Sequence, residues 1–315
     1  MNKISSAAIK DFCYSTGFDA CGITKAQFLP EEEIRYNNWL NKGMNAGMAF
    51  MKNNIDKRID PSLLLENSRS IILTLTGYKP ETDILPNTDY KFARYARGAD
   101  YHEVIRQKLN RVVDYLNETE PGHRHKIFVD TIPVLEKVLA YNAGLGWIGK
   151  NTLLINPVLG SYTFIGGILT TLELEADKPF GNDLCGSCNR CLRHCPTTAL
   201  NGDRTMDAGK CISYLTIEHK DELPSWLKEQ NTDNIYGCDI CQEVCPWNAK
   251  APAGKTSEFA PSAELLKMSN KDWNDLDAGK FDLLFKNTAV ERLKFGRMKR
   301  NIEQVRAARN NSSEG

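Results

Sequence analysis

The sequence is 315 residues long, which suffices for two domains or for one large domain with a small module attached. Its 40 basic and 40 acidic residues cancel, which excludes a large field of one sign but allows a local basic patch. With 41% hydrophobic and 25% charged residues, the composition is typical of a globular protein in water.

The amino-terminal residues show no signal-peptide pattern, and no window approaches the roughly 20 apolar residues of a membrane span. We therefore expect a cytoplasmic protein with no membrane partner. In that compartment clustered cysteines more often bind metal than form disulfides.

The first half of the chain alternates helical and strand-like patterns. After an amphipathic first helix, short β-branched and aromatic runs at 70–78 and 125–130 predict buried strands. Residues 131–146 predict a helix with Pro133 in its first turn and Gly144 at its end. Two further apolar runs follow, so the pattern predicts an α/β or α+β domain with a sizeable core.

Composition divides the chain into three parts. We predict an α/β domain over 1–176, a ferredoxin-like module rich in Cys, Gly and Pro over 177–256, and a short, basic helical region over 257–315. The fold class is therefore α+β. The middle part has so few apolar runs that metal must supply much of its stability.

Eight of the ten cysteines form a regular pattern. They are spaced as Cys185-x2-Cys188-x2-Cys191-x3-Cys195-Pro, then Cys211, then Cys238-x2-Cys241-x3-Cys245-Pro. In two-cluster ferredoxins the cysteine before the proline binds the other cluster. This rule predicts one [4Fe–4S] cluster on Cys185, Cys188, Cys191 and Cys245, and a second on Cys195, Cys211, Cys238 and Cys241.

A pair of four-cysteine zinc sites is the alternative, because CxxC pairs also suit tetrahedral zinc. Zinc does not require the two x3-Cys-Pro endings, so the pattern favours iron–sulfur clusters. Cys13 and Cys21 lie outside the pattern and are interpreted as core thiols. The glycines of GLGWIGK (144–150) follow a helix rather than a strand, so a bound nicotinamide is not supported.

Several segments together resemble the epoxyqueuosine reductase family. They are YARGADYH (95–102), FVDTIPVLEK (128–137), GLGWIGKNTLL (144–154) and GCDICQEVCPWN (237–248), with the cysteine run between them. The resemblance implies cobalamin and two [4Fe–4S] clusters as cofactors. It also implies a substrate, epoxyqueuosine at the wobble position in the anticodon loop of tRNA, whose epoxide oxygen is removed to give queuosine.

The resemblance aligns Asp130 with the catalytic acid of the family, which delivers a proton to the departing oxygen. Position alone also allows a helix-capping aspartate. The resemblance further places a set of residues near the cobalamin: Arg58, Asp130, Leu154, Ile165, Ser213 and Asp239. Asp100-Tyr101-His102 starts like a histidine-ligand motif for cobalt but lacks its glycine, so His102 is interpreted as structural.

The tRNA side depends on a basic segment near the carboxyl end. We predict phosphate contacts from Arg292, Lys294, Arg297, Lys299 and Arg300, with a solvated helix face as the alternative. A small electron-donor protein such as a ferredoxin or flavodoxin is the expected second partner. Two other functions stay open at this stage: a corrinoid reductive dehalogenase and a pure two-cluster electron-transfer protein.

Overall fold

A central antiparallel sheet organises the first half of the molecule. The computed structural model describes residues 4–81, 85, 87–230 and 232–313. The strands are β1 (Ala20–Lys25), β2 (Ser70–Gly77), β3 (Lys91–Phe92), β4 (His125–Phe128), β5 (Trp147–Ile148), β6 (Leu154–Ile155), β7 (Thr163–Thr170) and β8 (Asn234–Tyr236). The sheet has the order β1-β2-β7-β4, and each residue of β2 is buried. The predicted strands at 70–78 and 125–130 are thus confirmed, the second one two residues shorter.

Helices cover both faces of this sheet. The helices are α1 (Ser6–Ser15), α2 (Pro30–Asn41), α3 (Ile55–Ile59), α4 (Tyr101–Thr119), α5 (Glu136–Asn142), α6 (Arg190–His194), α7 (Ile212–Ile217), α8 (Ile240–Glu243), α9 (Pro246–Lys250), α10 (Ala263–Lys267), α11 (Asn270–Asn274), α12 (Ala278–Phe285) and α13 (Lys294–Ser313). Adjacent residues of β2 face opposite ways: Ile72 packs with α1 and α4, whereas Ile71 and Leu73 pack with α5.

One close approach inside the sheet requires a glycine. Gly167 of β7 lies opposite Phe128 of β4, and a Cβ on Gly167 would lie 2.2 Å from the Phe128 ring. The aromatic ring therefore occupies the place of the missing side chain. Cys13 and Cys21 are buried in the core on the α1 face of the sheet, as predicted for core thiols.

The predicted helix at 131–146 is only half as long in the structure. Helix α5 starts at Glu136, because Asp130 has a left-handed backbone with φ of 50° and Ile132 precedes Pro133. A residue before proline disfavours the helical conformation, so the first turn cannot form there. The end is as predicted: Gly144 follows the helix with φ of 74°.

A separate core joins distant parts of the chain at the carboxyl-terminal end. β3 pairs in parallel with β8, and Tyr90 and Phe92 pack with residues of α10 to α13 such as Trp273 and Phe285. This packing crosses the domain boundaries expected from composition, since residues near 90 share a core with residues beyond 257. In the part of the chain that the structure describes, no helix combines the length and the apolar character that a membrane crossing needs.

Candidate active site and cluster sites

The eight patterned thiols fall into two groups of electrostatic neighbours. We call Cys185, Cys188, Cys191 and Cys245 the outer group. Burial raises the pKa of Cys191, and negative charge on the other three members raises it further. Burial likewise raises the pKa of Cys245, with Cys185 and Cys188 adding to the effect. Cys245, distant in sequence, is therefore a neighbour of the first three cysteines.

The second set, which we call the inner group, is Cys195, Cys211, Cys238 and Cys241. Burial raises the pKa of Cys238 to about 12, and charge on Cys211 and Cys195 contributes. Burial also raises the pKa of Cys241, next to Cys238 and Cys211. Cys195 therefore lies beside the inner group and not beside Cys185 and Cys188, which precede it in the same segment. This is the crossing that the ferredoxin rule requires.

The described thiols are not drawn together as the ligands of a single metal ion are. Among the described residues, no three Cys, His, Asp or Glu side chains are grouped as the ligands of one metal ion would be. A tetrahedral zinc ion draws its four ligands to one centre. In a cubane cluster each thiolate binds a different iron atom, so the sulfurs stand further apart.

The two groups differ in their surroundings. Chain neighbours of the outer group, among them Leu184, Asn189 and Arg190, are exposed. Chain neighbours of the inner group, among them Ile212 and Asp239, are buried. Seven of the eight thiols are half-buried and Cys245 of the outer group is buried, so the difference between the groups lies in the residues around the thiols.

Two side chains from the GLGWIGK segment hold the outer group. The indole nitrogen of Trp147, a buried residue, donates to Sγ of Cys185 at 3.4 Å. The ammonium of Lys150 donates to the carbonyls of Gly186 at 2.7 Å and Cys188 at 2.9 Å. The sequence pattern did not predict these contacts, which join residues about 36 positions apart.

Asp130 lies in an exposed turn that two residues hold. The Tyr101 hydroxyl donates to Oδ2 of Asp130 at 3.1 Å, and the Asp130 backbone N–H donates to Oε1 of Glu136 at 2.7 Å. The next helix, α5, has Leu135 as its amino-terminal cap, and no side chain makes a capping hydrogen bond there. Asp130 is therefore not a helix cap. The side chain is left available for chemistry.

Glu136 and Lys137 extend this polar network. Burial raises the pKa of Glu136 to about 8, and the charge of Asp130 adds to the effect. Burial among protein atoms also lowers the pKa of Lys137, although the side chain keeps accessible surface; Nζ donates to the Thr152 carbonyl at 2.6 Å. Accessible atoms surrounded by protein are typical of a concave site, and sequence analysis missed both residues.

Other residues predicted near the cobalamin lie in two places. Leu154 in β6 is buried and Ile165 in β7 is half-buried, and both belong to the core on the α5 face. Ser213 and Asp239 lie beside inner-group cysteines, and Asp239 accepts from the backbone and guanidinium of Arg94 at 2.8 Å and 3.1 Å. No local sequence pattern predicted this buried pair.

Arg58 and His102 have local partners. The Arg58 guanidinium donates to the carbonyls of Phe50 and Asn53, both at 3.3 Å. The Nδ1 atom of His102 lies 2.6 Å from the carboxylate of Asp100, which is also the amino-terminal cap of α4. These contacts are those of a structural histidine.

The predicted basic segment divides into two kinds of residue. Arg297 donates to the Ile217 carbonyl at 2.7 Å, and Arg300 donates to the carbonyls of Leu215 at 3.1 Å and His219 at 2.9 Å. These are carbonyls at the end of α7, which have no partner within their own helix. Arg292 pairs with Glu218, and Lys294 and Lys299 are exposed. Arg297 and Arg300 therefore form no simple solvated face.

Two family models match the chain. Residues 58–131 match the model described as epoxyqueuosine reductase QueG, and residues 184–248 match a 4Fe–4S double cluster binding domain. The second match spans all eight patterned cysteines. The chain thus contains a domain of the two-cluster type, as the spacing predicted.

Curated relatives match over nearly the whole length. An epoxyqueuosine reductase of Leadbetterella byssophila is 44% identical over 96% of this chain and 98% of its own. One of Cyclobacterium marinum is 42% identical over 95% and 96%.

Solved structures of the same family match the fold. An epoxyqueuosine reductase crystallised with an epoxyqueuosine-modified tRNA-Tyr stem loop superposes with a TM-score of 0.89 at 30% identity, covering 98% of this chain and 82% of that one. The enzyme of Streptococcus thermophilus gives a TM-score of 0.86 at 30% identity, covering 98% and 83%. The chain therefore belongs to the epoxyqueuosine reductase family of oxidoreductases.

Proposed function

We propose that this chain reduces epoxyqueuosine to queuosine at the wobble position of tRNA, with cobalamin and two [4Fe–4S] clusters as cofactors. The observation that carries the proposal is the combination of whole-length similarity with two groups of four neighbouring thiols. The reaction takes two electrons and two protons, and the epoxide oxygen leaves as water. The chain must therefore deliver electrons and protons to one nucleotide.

The outer and inner groups are the proposed ligands of the two clusters. Eight thiols divide into four and four with none left over, which is the donor set that two cubanes need. The Lys150 ammonium and the Trp147 indole fix the loop of the outer group. α7 and α8 fix the inner group from a buried position.

The residues around Asp130 suit a corrin. Ile165 offers partly accessible apolar surface above the core that contains Leu154, and the buried Nδ2 of Asn151 has no hydrogen-bond partner in the described chain. Together with Arg58, Asp130, Ser213 and Asp239, Leu154 and Ile165 are the residues we propose to hold cobalamin. When bound, cobalamin would supply a low-potential reductant for the epoxide.

Asp130 is the proposed proton donor to the departing oxygen. Tyr101 orients its carboxyl group through a 3.1 Å hydrogen bond, and Glu136 holds its backbone in the left-handed turn. Burial raises the pKa of Glu136, and the negative charge of Asp130 adds to the effect.

The tRNA must bring its reacting nucleotide to Asp130. Its anticodon-loop bases are single-stranded and can turn into a pocket, at a cost of a few kcal/mol that phosphate contacts elsewhere offset. Lys294, Lys299 and Arg292 are the proposed phosphate contacts. Arg297 and Arg300 contribute by holding the surface on which these three lie.

Three further assignments complete the proposal. The domains remain 1–176, 177–256 and 257–315, with residues near 90 packing onto the last one. A small electron-donor protein reduces the clusters. The compartment is the cytoplasm, where tRNA is found and thiols stay reduced.

The test is anaerobic reconstitution with iron, sulfide and cobalamin, followed by reduction and mass analysis of nucleosides from epoxyqueuosine-containing tRNA. We expect retained corrin absorbance and loss of one oxygen from the nucleoside, with no conversion when cobalamin is omitted. A protein that takes up iron but neither retains corrin nor changes the nucleoside would instead be a pure electron-transfer protein.

A further inference from the structure

The short helix α6 presents two free cations beside the outer group. Arg190 and Arg193 flank Cys191, and both side chains are exposed. Within the described residues neither guanidinium makes an ion pair or a side-chain hydrogen bond. Arginines that stabilise a fold usually have such a partner, as Arg297 and Arg300 do here. The charge of α6 is therefore directed at solvent.

Neighbouring acidic residues do not cancel this charge. Asp183 forms an ion pair with Arg204 at 2.5 Å, and the carboxylate of Asp207 lies 3.9 Å from the ammonium of Lys210. Lys150 adds a third cation, held against the carbonyls of Gly186 and Cys188. Because the whole chain has a net charge of zero, this excess is local.

An exposed apolar residue completes the surface. Leu184 directly precedes Cys185, and its side chain is 39% exposed. An apolar centre with a charged rim is the usual composition of a protein–protein interface. We call Leu184, Asn189, Arg190, Arg193 and His194 the α6 face; all five are exposed.

We propose that the α6 face docks a small acidic redox protein that feeds electrons to the outer group. At each encounter the donor loses one electron and this chain gains one, with no proton needed. The inference rests on the function proposed above and adds the place where electrons enter. Charge complementarity favours an acidic donor and speeds its association.

The same cations could attract tRNA phosphate, but the location argues for a redox partner. The reacting nucleotide must lie at Asp130, whereas Leu184, Asn189 and Arg190 of the α6 face directly adjoin Cys185, Cys188 and Cys191 in the chain. An electron donor gains from closeness to those thiols, because the chain around them is exposed and a partner can reach it. Binding of tRNA at the α6 face is therefore an outcome that would contradict the proposal.

The experiment follows reduction of the reconstituted holoprotein by reduced flavodoxin, observed as bleaching of cluster absorbance in a stopped-flow instrument. Arg190→Glu/Arg193→Glu should lower the second-order rate constant at low salt by about tenfold or more. The rate of the unchanged protein should fall as salt rises, whereas that of the variant should not. Reduction by photoreduced deazaflavin, a small donor, should be the same in both.

Arg111→Glu/Lys271→Glu is the matched control, because it changes the net charge equally at two exposed residues of α4 and α11 that make no ion pair in the described chain. An equal loss of rate in this control would overturn the proposal. So would a slower reaction of the α6 variant with deazaflavin, or weaker tRNA binding with unchanged flavodoxin kinetics. If no donor reduces the unchanged holoprotein, the proposed function fails first, which separates the two failures.

Discussion

The outer and inner thiol groups have the same ligand chemistry in two different surroundings. Exposed chain and the free arginines of α6 surround the outer group. Buried residues of α7 and α8 surround the inner group, where burial raises the pKa of Cys238 to about 12. Cysteine spacing thus decides where clusters can form, whereas the surroundings decide what each cluster can do. On the proposals above, the outer one receives electrons from a partner, and the inner one passes them to the catalytic site.

The largest expected effect tests the division itself. Cys185→Ala/Cys245→Ala removes two members of the outer group, so the reconstituted protein should lose about four of about eight iron atoms. Cys185→Ala/Cys195→Ala removes one member from each group, so nearly all iron should be lost. Iron analysis after anaerobic reconstitution measures both. If Cys185 and Cys195 belonged to one cluster, the second variant would keep half its iron.

The next prediction separates proton delivery from electron delivery. Asp130→Asn should keep both clusters and their rates of reduction, but turnover should fall about 10²–10⁴-fold because the proton donor is lost. The measurement is queuosine formation under saturating reductant. Glu120→Gln, a change far from the turn, is the control. Turnover near that of the unchanged protein would assign Asp130 a purely structural role.

A smaller effect is expected where α13 supports the inner group. Arg300→Met leaves carbonyls at the end of α7 without a partner, which should lower the free energy of unfolding by about 2 kcal/mol. Lys299→Met, at an exposed position with only a 4.0 Å contact to Glu303, should change it by less than about 0.5 kcal/mol. Urea unfolding of the two variants decides the point. Equal stabilities would mean that Arg300 is a solvated residue.

The smallest effect concerns the outer group alone. Trp147→Phe removes the indole N–H that donates to Cys185, and a lost hydrogen bond to sulfur should make the potential of that cluster more negative. Trp247→Phe is the matched control, since its ring packs against Trp147 at 4.9 Å but makes no such bond to a thiol in the described structure. Potentiometric titration with EPR detection measures the cluster potentials of both variants. A shift of the inner cluster, or the same shift in the control, would contradict this role.

What could be predicted from the sequence depended on whether a feature is local. The cysteine spacing is local, so both thiol groups and the crossing of Cys195 and Cys245 followed from it. The strand at 70–78 was also clear, because its apolar run is continuous. The helix at 131–146 was wrong in its first turn, since the left-handed backbone of Asp130 depends on Glu136 and Tyr101 and leaves no local signal.

Other parts of the site depend on contacts between distant residues. From the sequence, Arg297 and Arg300 were interpreted as tRNA-binding or solvated charges. Nothing in their own segment shows that they contact the end of α7, which lies some 80 residues earlier in the chain. The bond from Trp147 to Cys185 and the pairing of β3 with β8 are of the same kind. Only a folded chain shows such partners.

The most direct test of the account compares turnover in two variants with photoreduced deazaflavin as the donor. Cys185→Ala/Cys245→Ala keeps the inner group, and Cys195→Ala/Cys238→Ala keeps the outer group. If the inner group serves the catalytic site, the first variant should still convert epoxyqueuosine in tRNA and the second should not. Conversion by the second variant at the rate of the first would contradict the assignment of the two groups.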